Sequence, residues 1–385
     1  MTVQAIAATR LFTGEEMLAD HAVLIEAGRV HDIVPSASVP FAEHLPEALI
    51  LCPGFIDVQV NGGGGALFND SPDLPTLRRI AAAHRRFGTT ALLPTLITDT
   101  PEMMRKAVAV VADAMARGEP GIAGLHLEGP FISAARRGVH RADFVRAITA
   151  GDIDFLCAET PRPLQLTLAP ECVSGDHVRQ LAAAGVTVSI GHTDATFEQA
   201  TDTLAKGARG FTHLFNAMPP LAGRAPGPVG AALDSNAAYA GLIVDGHHVH
   251  PASLRTALRA LTARRAMLIS DAMPSIGTDM TSFMLQDRRI LVAEGRLTTE
   301  DGTLAGAHLD MASAVRNAVA LLGTTLADAL RMATATPADF LGIGHERGRL
   351  LPGSIADLIS VTDSLSIEGI WMAGTPALAG PNAPC

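Results

Sequence analysis

Four polar residues, Glu128, His192, His213 and Asp271, each stand directly after a short apolar run: "IAGLHL", "VTVSIG", "GFT" and "AMLIS". Two imidazoles and one carboxylate make the His2Glu donor set that binds Zn2+ and leaves a coordination position for water. A second carboxylate facing that position, Asp271, could take a proton from the water and return it later. Any one of the four would read as a hydrogen-bonded structural group; their shared placement at the ends of apolar runs is what singles them out. His126 lies two residues before Glu128 and points to the same side of its strand. It is read as a histidine of the interior or as a support for the ligands, not as a ligand. "DGHHVHP", 245–251, places His247, His248 and His250 in one loop, of which one should face inward; His248 is assigned to substrate contact. Arg224, in the Gly- and Pro-rich "AGRAPGP", is either a solvated loop arginine or a fork for a phosphate or carboxylate. Cys172 follows a strand as well, but with no histidine near it in sequence and no electropositive setting it is read as structural.

These residues meet only if their strands run parallel around a common axis. Eight apolar runs, "GFIDVQV", "TTALLPTL", "IAGLHLEGP", "LQLTLAP", "VTVSIGH", "GFTHLF", "YAGLIVD" and "AMLISDA", alternate with Ala-, Leu- and Arg-rich stretches of helical spacing at 76–87, 102–117, 175–184, 195–206 and 251–263. Strands alternating with helices imply a parallel sheet, and eight such units predict a (β/α)8 TIM-type barrel of the α/β class, whose functional face is the C-terminal ends of its strands. Residues 3–51 and those past 345 return to short β-like runs, including a hairpin in "AVLIEAGRVHDIV". The expected organisation is a small β-sandwich domain built from both termini, 1–52 plus 345–385, beside a barrel of 53–344. A β-hairpin insertion at about 279–305 could cover the active-site face.

Of the 385 residues 48% are hydrophobic and 18% charged, which fits a large folded core and excludes disorder. The net charge is −10 with no basic stripe, so nucleic acid is not an expected partner. Lys106 and Lys206 are the only lysines, so an anionic substrate would be met by arginine or histidine. Cys52, Cys157, Cys172 and Cys385 show no C-x-x-C spacing and are read as reduced thiols. With no signal-like start and no membrane-length apolar run, a cytoplasmic location and no membrane partner are expected.

"PGFIDVQVNG", "LHLEGPF", "GHTDAT", "THLFNAM", "GPVGAAL", "DGHHVH" and "SDAM" together resemble, in order and over nearly the whole chain, the N-acetylglucosamine-6-phosphate deacetylases of the amidohydrolase superfamily. The resemblance implies hydrolysis of N-acetyl-D-glucosamine 6-phosphate to D-glucosamine 6-phosphate and acetate, in amino-sugar catabolism or cell-wall recycling. It implies one divalent metal ion per subunit, Zn2+ first and Fe2+, Co2+ or Mn2+ as alternatives, on Glu128, His192 and His213. Asp271 and His140 are implied as catalytic groups, and Asn216, Ala217, Arg224 and His248 as contacts of the sugar phosphate. Leu304 and Gly306, in "TLAG", resemble a segment that closes over the sugar; His308 just beyond departs from the small residue expected there. A homodimer is implied, with Arg224 serving the neighbouring active site. The alternatives are an N-acetylgalactosamine-6-phosphate deacetylase, another N-acyl amidohydrolase, or an inactive barrel that binds sugar phosphates.

Some amidohydrolases hold two metals, using His-x-His on the first barrel strand and a carboxylated lysine bridge. This chain has Gln59-Val60-Asn61 there, and both lysines fall in helical stretches. The more buried of the two metal positions is therefore expected to be empty, with Gln59 and Asn61 hydrogen-bonding the ligand shell from that space.

Overall fold

The computed structural model describes residues 3–158 and 160–379; Cys385 lies outside them. Eight strands form one sheet whose spatial order follows the chain: Phe55–Val60, Thr89–Ile97, Leu125–Glu128, Leu164–Leu168, Val186–Ile190, Gly210–Phe211, Tyr239–Leu242 and Ala266–Leu268. All neighbouring pairs in this order are parallel. A parallel bridge between Val60 and Ala272 brings the two ends together into a barrel. The strands are apolar and buried along almost their whole length because one face packs into the barrel and the other against helices.

The expected helices occupy Leu74–Arg85, Pro101–Ala116, Gly175–Ala183, Phe197–Ala205 and Pro251–Leu261. Each starts where a side chain can satisfy a free N–H: Asp73, Thr100, Ser174 and Thr196 accept from the backbone N–H three residues on, and Thr196 with Gln199 forms a reciprocal capping box. Their starts therefore sit close to those the spacing predicts.

Both termini contribute to a second sheet. Its continuous path runs Thr375–Ala379, Ile367–Met372, Leu358–Val361, Ile50–Pro53, Gln4–Phe12, Met17–Glu26 and Arg29–Pro35. The strand Ile50–Pro53 joins the two ends, pairing parallel with Gln4–Phe12 and antiparallel with Leu358–Val361. Its core gathers Ile6, Val23, Leu51, Leu358 and Trp371, and the start of the Arg29 strand bonds back to Gly353 and Ser354. Gly54 turns the chain from this sheet into the barrel; a Cβ there would lie 2.1 Å from the Thr90 hydroxyl oxygen, so only glycine passes.

Between the last barrel strand and the helix Met311–Leu322, strands Ser282–Leu285, Arg288–Ala293 and Arg296–Thr299 form a three-stranded antiparallel sheet. It is held to the barrel mouth by its own apolar cluster, in which Leu285, Ile290 and Leu297 meet Leu67, Ile97 and Met273. Among the described residues no helix is long and apolar enough to cross a membrane.

Candidate active site

The strand ends at the C-terminal face converge on a cavity of 520 Å3 lined by Glu128, His140, His192, His213 and Asp271, among others. The backbone at three of these ends is unusual. His192, His213 and Asp271 have φ of +47°, +32° and +48°, a region that L-residues enter at a cost and that clusters at functional sites. Each strand turns sharply there and aims its side chain back across the barrel mouth.

Glu128 Oε1 is the hub. It lies 3.2 Å from His192 Nε2, 3.0 Å from His213 Nε2 and 3.0 Å from Gln59 Nε2, while the two Nε2 atoms are 3.1 Å apart. His192 Nδ1 donates to the Arg136 carbonyl at 2.9 Å, which leaves a lone pair on Nε2 aimed at a carboxylate and at a second imidazole. A lone pair facing an anion is repulsive unless positive charge sits between them. His213 Nδ1 is buried with no hydrogen-bond partner. The donor set therefore fits a divalent cation, with nitrogen and oxygen atoms spaced as neighbouring ligands of one ion with bonds of roughly 2.0–2.2 Å. Glu128, His140 and His192 also present donor atoms all within 4.8 Å of one another.

The buried charges of the cluster shift one another. Burial opposes charge on Glu128, yet hydrogen bonds and charge from His192 and His213 hold its carboxyl well below the usual range. Burial also opposes a proton on His213, and Glu128 and Asp271 outweigh it, so its pKa is raised. Burial, and then the charge of Glu128, push Asp271 up to about 6. His140 is held well below the ordinary imidazole value, first by burial and then by His192, whose ring centroid is 4.3 Å away.

Gln59 and Asn61 stand where the first strand enters this cluster. Gln59 Nε2 donates to Glu128 and, at 3.1 Å, to Asp271 Oδ1; Asn61 Nδ2 donates to the same Oδ1 at 2.7 Å. The side-chain amides thus bring N–H donors to both carboxylates. His140 Nδ1 is 2.8 Å from the Thr98 hydroxyl.

Asn216, Ala217, His248, Leu304 and Gly306 also line the cavity. Of the loop histidines, His248 faces it, with Nδ1 2.6 Å from Asp245 Oδ2; His247 is exposed, and His250 caps the helix Pro251–Leu261 by accepting from Ala252 N–H. His126 stays out of the donor cluster, bonded to the Thr95 and Thr167 hydroxyls inside the barrel. Arg224 is exposed on the 219–226 loop and does not line this chain's own cavity. Lys106 lies within a helix and Lys206 caps another, away from the strand ends. Burial and the neighbouring Glu171 push the Cys172 thiol up to about 11, which suits a structural residue.

Thr98, Asp245 and Arg136, which orient three of the histidines, were not anticipated. Thr98 and Arg136 meet their histidines 42 and 56 positions away, so no local spacing marks them, whereas Asp245 stands three residues before His248 in the same loop. Asp57 was missed too, although its alternation with Gln59 and Asn61 places it on their side of the strand.

The Amidohydrolase family profile matches residues 50–377, and the NagA composite domain matches residues 5–42. The chain belongs to the amidohydrolase family. This amidohydrolase is 44% identical over 324 residues to the N-acetylgalactosamine-6-phosphate deacetylase of Shewanella sp. (strain ANA-3), covering 84% of this chain and 82% of the relative. It is 34% identical over 369 residues to the N-acetylglucosamine-6-phosphate deacetylase of Haemophilus influenzae, covering 94% and 96%. Among solved structures, the N-acetylglucosamine-6-phosphate deacetylase from Pasteurella multocida superposes with a TM-score of 0.93 at 34% identity, covering 97% of this chain and 99% of that one. The amidohydrolase family is metal-dependent, and the Glu/His/His group described above is able to bind a metal.

Proposed function

We propose that this amidohydrolase removes the acetyl group of N-acetyl-D-glucosamine 6-phosphate, releasing acetate and D-glucosamine 6-phosphate, with one divalent cation per subunit, Zn2+ first. The observation that carries the reading is the meeting of the Glu128, His192 and His213 donors with Asp271 in one cavity, within a chain similar end to end to deacetylases of this kind. A cavity of 520 Å3 also lies in the range that accommodates a small, largely enclosed ligand.

Glu128, His192 and His213 would hold the cation. When bound, it polarises the acetamide carbonyl and acidifies water. Asp271 takes the proton of the attacking water. Both amides bond Oδ1, so Oδ2 is the oxygen left to accept it. A carboxyl raised toward neutrality by burial is suited to accept and then return a proton. The water oxygen forms the new bond to the acetyl carbon, the C–N bond breaks, and Asp271 passes its proton to the leaving amine. His140, held with Nδ1 2.8 Å from the Thr98 hydroxyl, would stand beside the carbonyl oxygen and, in its Nε2–H tautomer, would donate to it as negative charge develops. His248, oriented by Asp245, and Asn216 with the Ala217 backbone would receive the sugar phosphate, and Leu304 and Gly306 would cover it. Arg224 would complete the phosphate site from the neighbouring subunit of a cytoplasmic homodimer.

A second reading, the galacto epimer as substrate, is favoured by the 44% identity to an N-acetylgalactosamine-6-phosphate deacetylase. Acetate release from both sugar phosphates, with and without a chelator and added Zn2+, tests both. Chelator-sensitive release with the gluco substrate preferred supports the main reading; a higher kcat/KM for the galacto substrate replaces it with the second. No release from either by folded, metal-loaded protein overturns both.

A further inference from the structure

The barrel is laced unevenly. Each neighbouring pair of strands carries a backbone ladder except the closing pair, Ala266–Leu268 beside Phe55–Val60. At that seam the backbone contributes the Val60 to Ala272 bridge and two bonds, from Asn61 N and Gly62 N to the Ala272 carbonyl at 2.9 and 3.0 Å. Just below, where further ladder bonds would be expected, sits a side chain. Asp57 is fully buried, and its carboxylate accepts from Gln59 N at 3.2 Å, from Ser270 N at 3.3 Å and from the Ser270 hydroxyl.

We propose that Asp57 and Ser270 form a clamp across the barrel seam that positions Asp271 for proton transfer, Asp57 being a positioning residue that does not touch the substrate. The inference rests on the reading of Asp271 given above. Three observations carry it. The clamp grips both sides of Asp271: Ser270 N is held by Asp57, and Ala272 N by the Ser270 hydroxyl oxygen at 3.2 Å. Asp271 itself needs gripping, because its φ of +48° is a conformation an L-residue leaves unless its surroundings fix it. The other end of the clamp is the strand that carries Gln59 and Asn61, the two amides bonded to Asp271 Oδ1. One carboxylate thus sets the proton-moving group and the donors that orient it in a single frame.

Asp57 is an expensive choice for mere packing. Among the described residues no cation bonds it, and burial pushes it up to about 7, so burying this carboxyl has a cost that packing alone does not offset. What the clamp supplies is two acceptor oxygens, not charge. An asparagine at 57 could keep Oδ1 for the two backbone N–H groups and offer its amide to the Ser270 oxygen.

The test compares Ser270→Ala, Asp57→Ala and Asp57→Asn with Asp271→Asn, each as full-length, metal-loaded protein. Readouts are steady-state acetate release, metal content per subunit and thermal midpoint. Ser270→Ala and Asp57→Ala are expected to lose about 10- to 100-fold in kcat, as a misplaced catalytic group does, with KM and metal content close to the parent. Asp57→Asn is expected to restore most of the kcat lost in Asp57→Ala. If Asp57→Ala does not fold, Ser270→Ala carries the comparison. Normal kcat in Ser270→Ala while Asp271→Asn is inactive overturns the clamp and leaves the reading of Asp271 standing. A parallel fall of kcat, metal content and midpoint shows a structural residue only and also overturns it. Normal turnover by Asp271→Asn overturns the reading of Asp271 and the clamp's purpose with it.

Discussion

At the scale of the residue, Asp271 is asked to accept a proton and give it back, so its replacement should be felt in the chemical step alone. Asp271→Asn keeps the shape and the contacts with Gln59 and Asn61 through its side-chain oxygen but cannot hold the proton. A fall in kcat of about 10²- to 10⁴-fold is expected, with metal content unchanged because the donor triangle of Glu128, His192 and His213 is intact; acetate release and metal analysis check this. Glu128, His192, His213 and Asp271 were legible from sequence because a barrel delivers strand-end residues to one face, so position after an apolar run is itself information. Thr98 and Ser270 were not, because what matters in them is a hydrogen bond to a residue tens or hundreds of positions away. A hydroxyl after a strand reads the same whether it orients a ring or meets solvent.

At the scale of the element, the insertion between the last strand and the helix Met311–Leu322 decides how the cavity is covered. Its sheet sits on an apolar cluster separate from the main core, and the segment after it brings Gly302, Thr303, Leu304 and Gly306 to the cavity wall. Gly306 has a φ of +64°, and a Cβ there would come within 2.5 Å of Met273 Cγ. Gly306→Ala is therefore expected to push this wall out of place, raising KM for the sugar phosphate by roughly tenfold through loss of about 1–2 kcal/mol of positioning, while metal content stays level. Initial rates across substrate concentration, beside metal analysis, decide it. The eight strands and the five helices Leu74–Arg85, Pro101–Ala116, Gly175–Ala183, Phe197–Ala205 and Pro251–Leu261 were readable because their periodicity is local and their caps are present in the sequence. The short helix Gly227–Asp234 was not singled out: it begins Gly-Pro and carries a second glycine, a composition that signals a turn, and its helical state comes from packing that buries six of its eight residues.

At the scale of the whole molecule, the two sheets must stay in register, and one side chain ties the first turn of the chain to its far end. Glu15 bonds Arg331, which is buried, and Arg349 at 2.7 Å; Arg349 also makes a two-pronged pair with Asp339 at 2.7 Å per bond. The hydrogen bond from Arg331 lowers Glu15 from 4.5 to about 2, with burial opposing and Arg349 adding to the fall. A carboxyl depressed on folding stabilises the protein fully above its unfolded value and loses that contribution as pH falls through the folded one. The thermal midpoint should therefore drop between pH 4.5 and 2, and Glu15→Gln should flatten that drop. At pH 7 the same substitution should lower the midpoint by only roughly 1–3 °C, because Glu15 is more than a third exposed and solvent screens the pair. Midpoints of both proteins across pH 2–7 provide the check, and parallel curves would refute the assignment. Assembly makes a different demand at this scale. Arg224 lies outside its own cavity, and the proposed homodimer assigns it to the neighbour's. Arg224→Ala should then raise KM about tenfold or more, as loss of a charge-assisted phosphate contact does, without lowering metal content. Mixing sharpens the test. A dimer of one Arg224→Ala subunit and one Asp271→Asn subunit retains one complete site, since the subunit that keeps Asp271 receives Arg224 from its partner. Co-refolding the two variants should recover activity at low substrate that neither has alone. If Arg224 instead bent back to serve its own subunit, each mixed dimer would pair one defective site with another, and no activity would return.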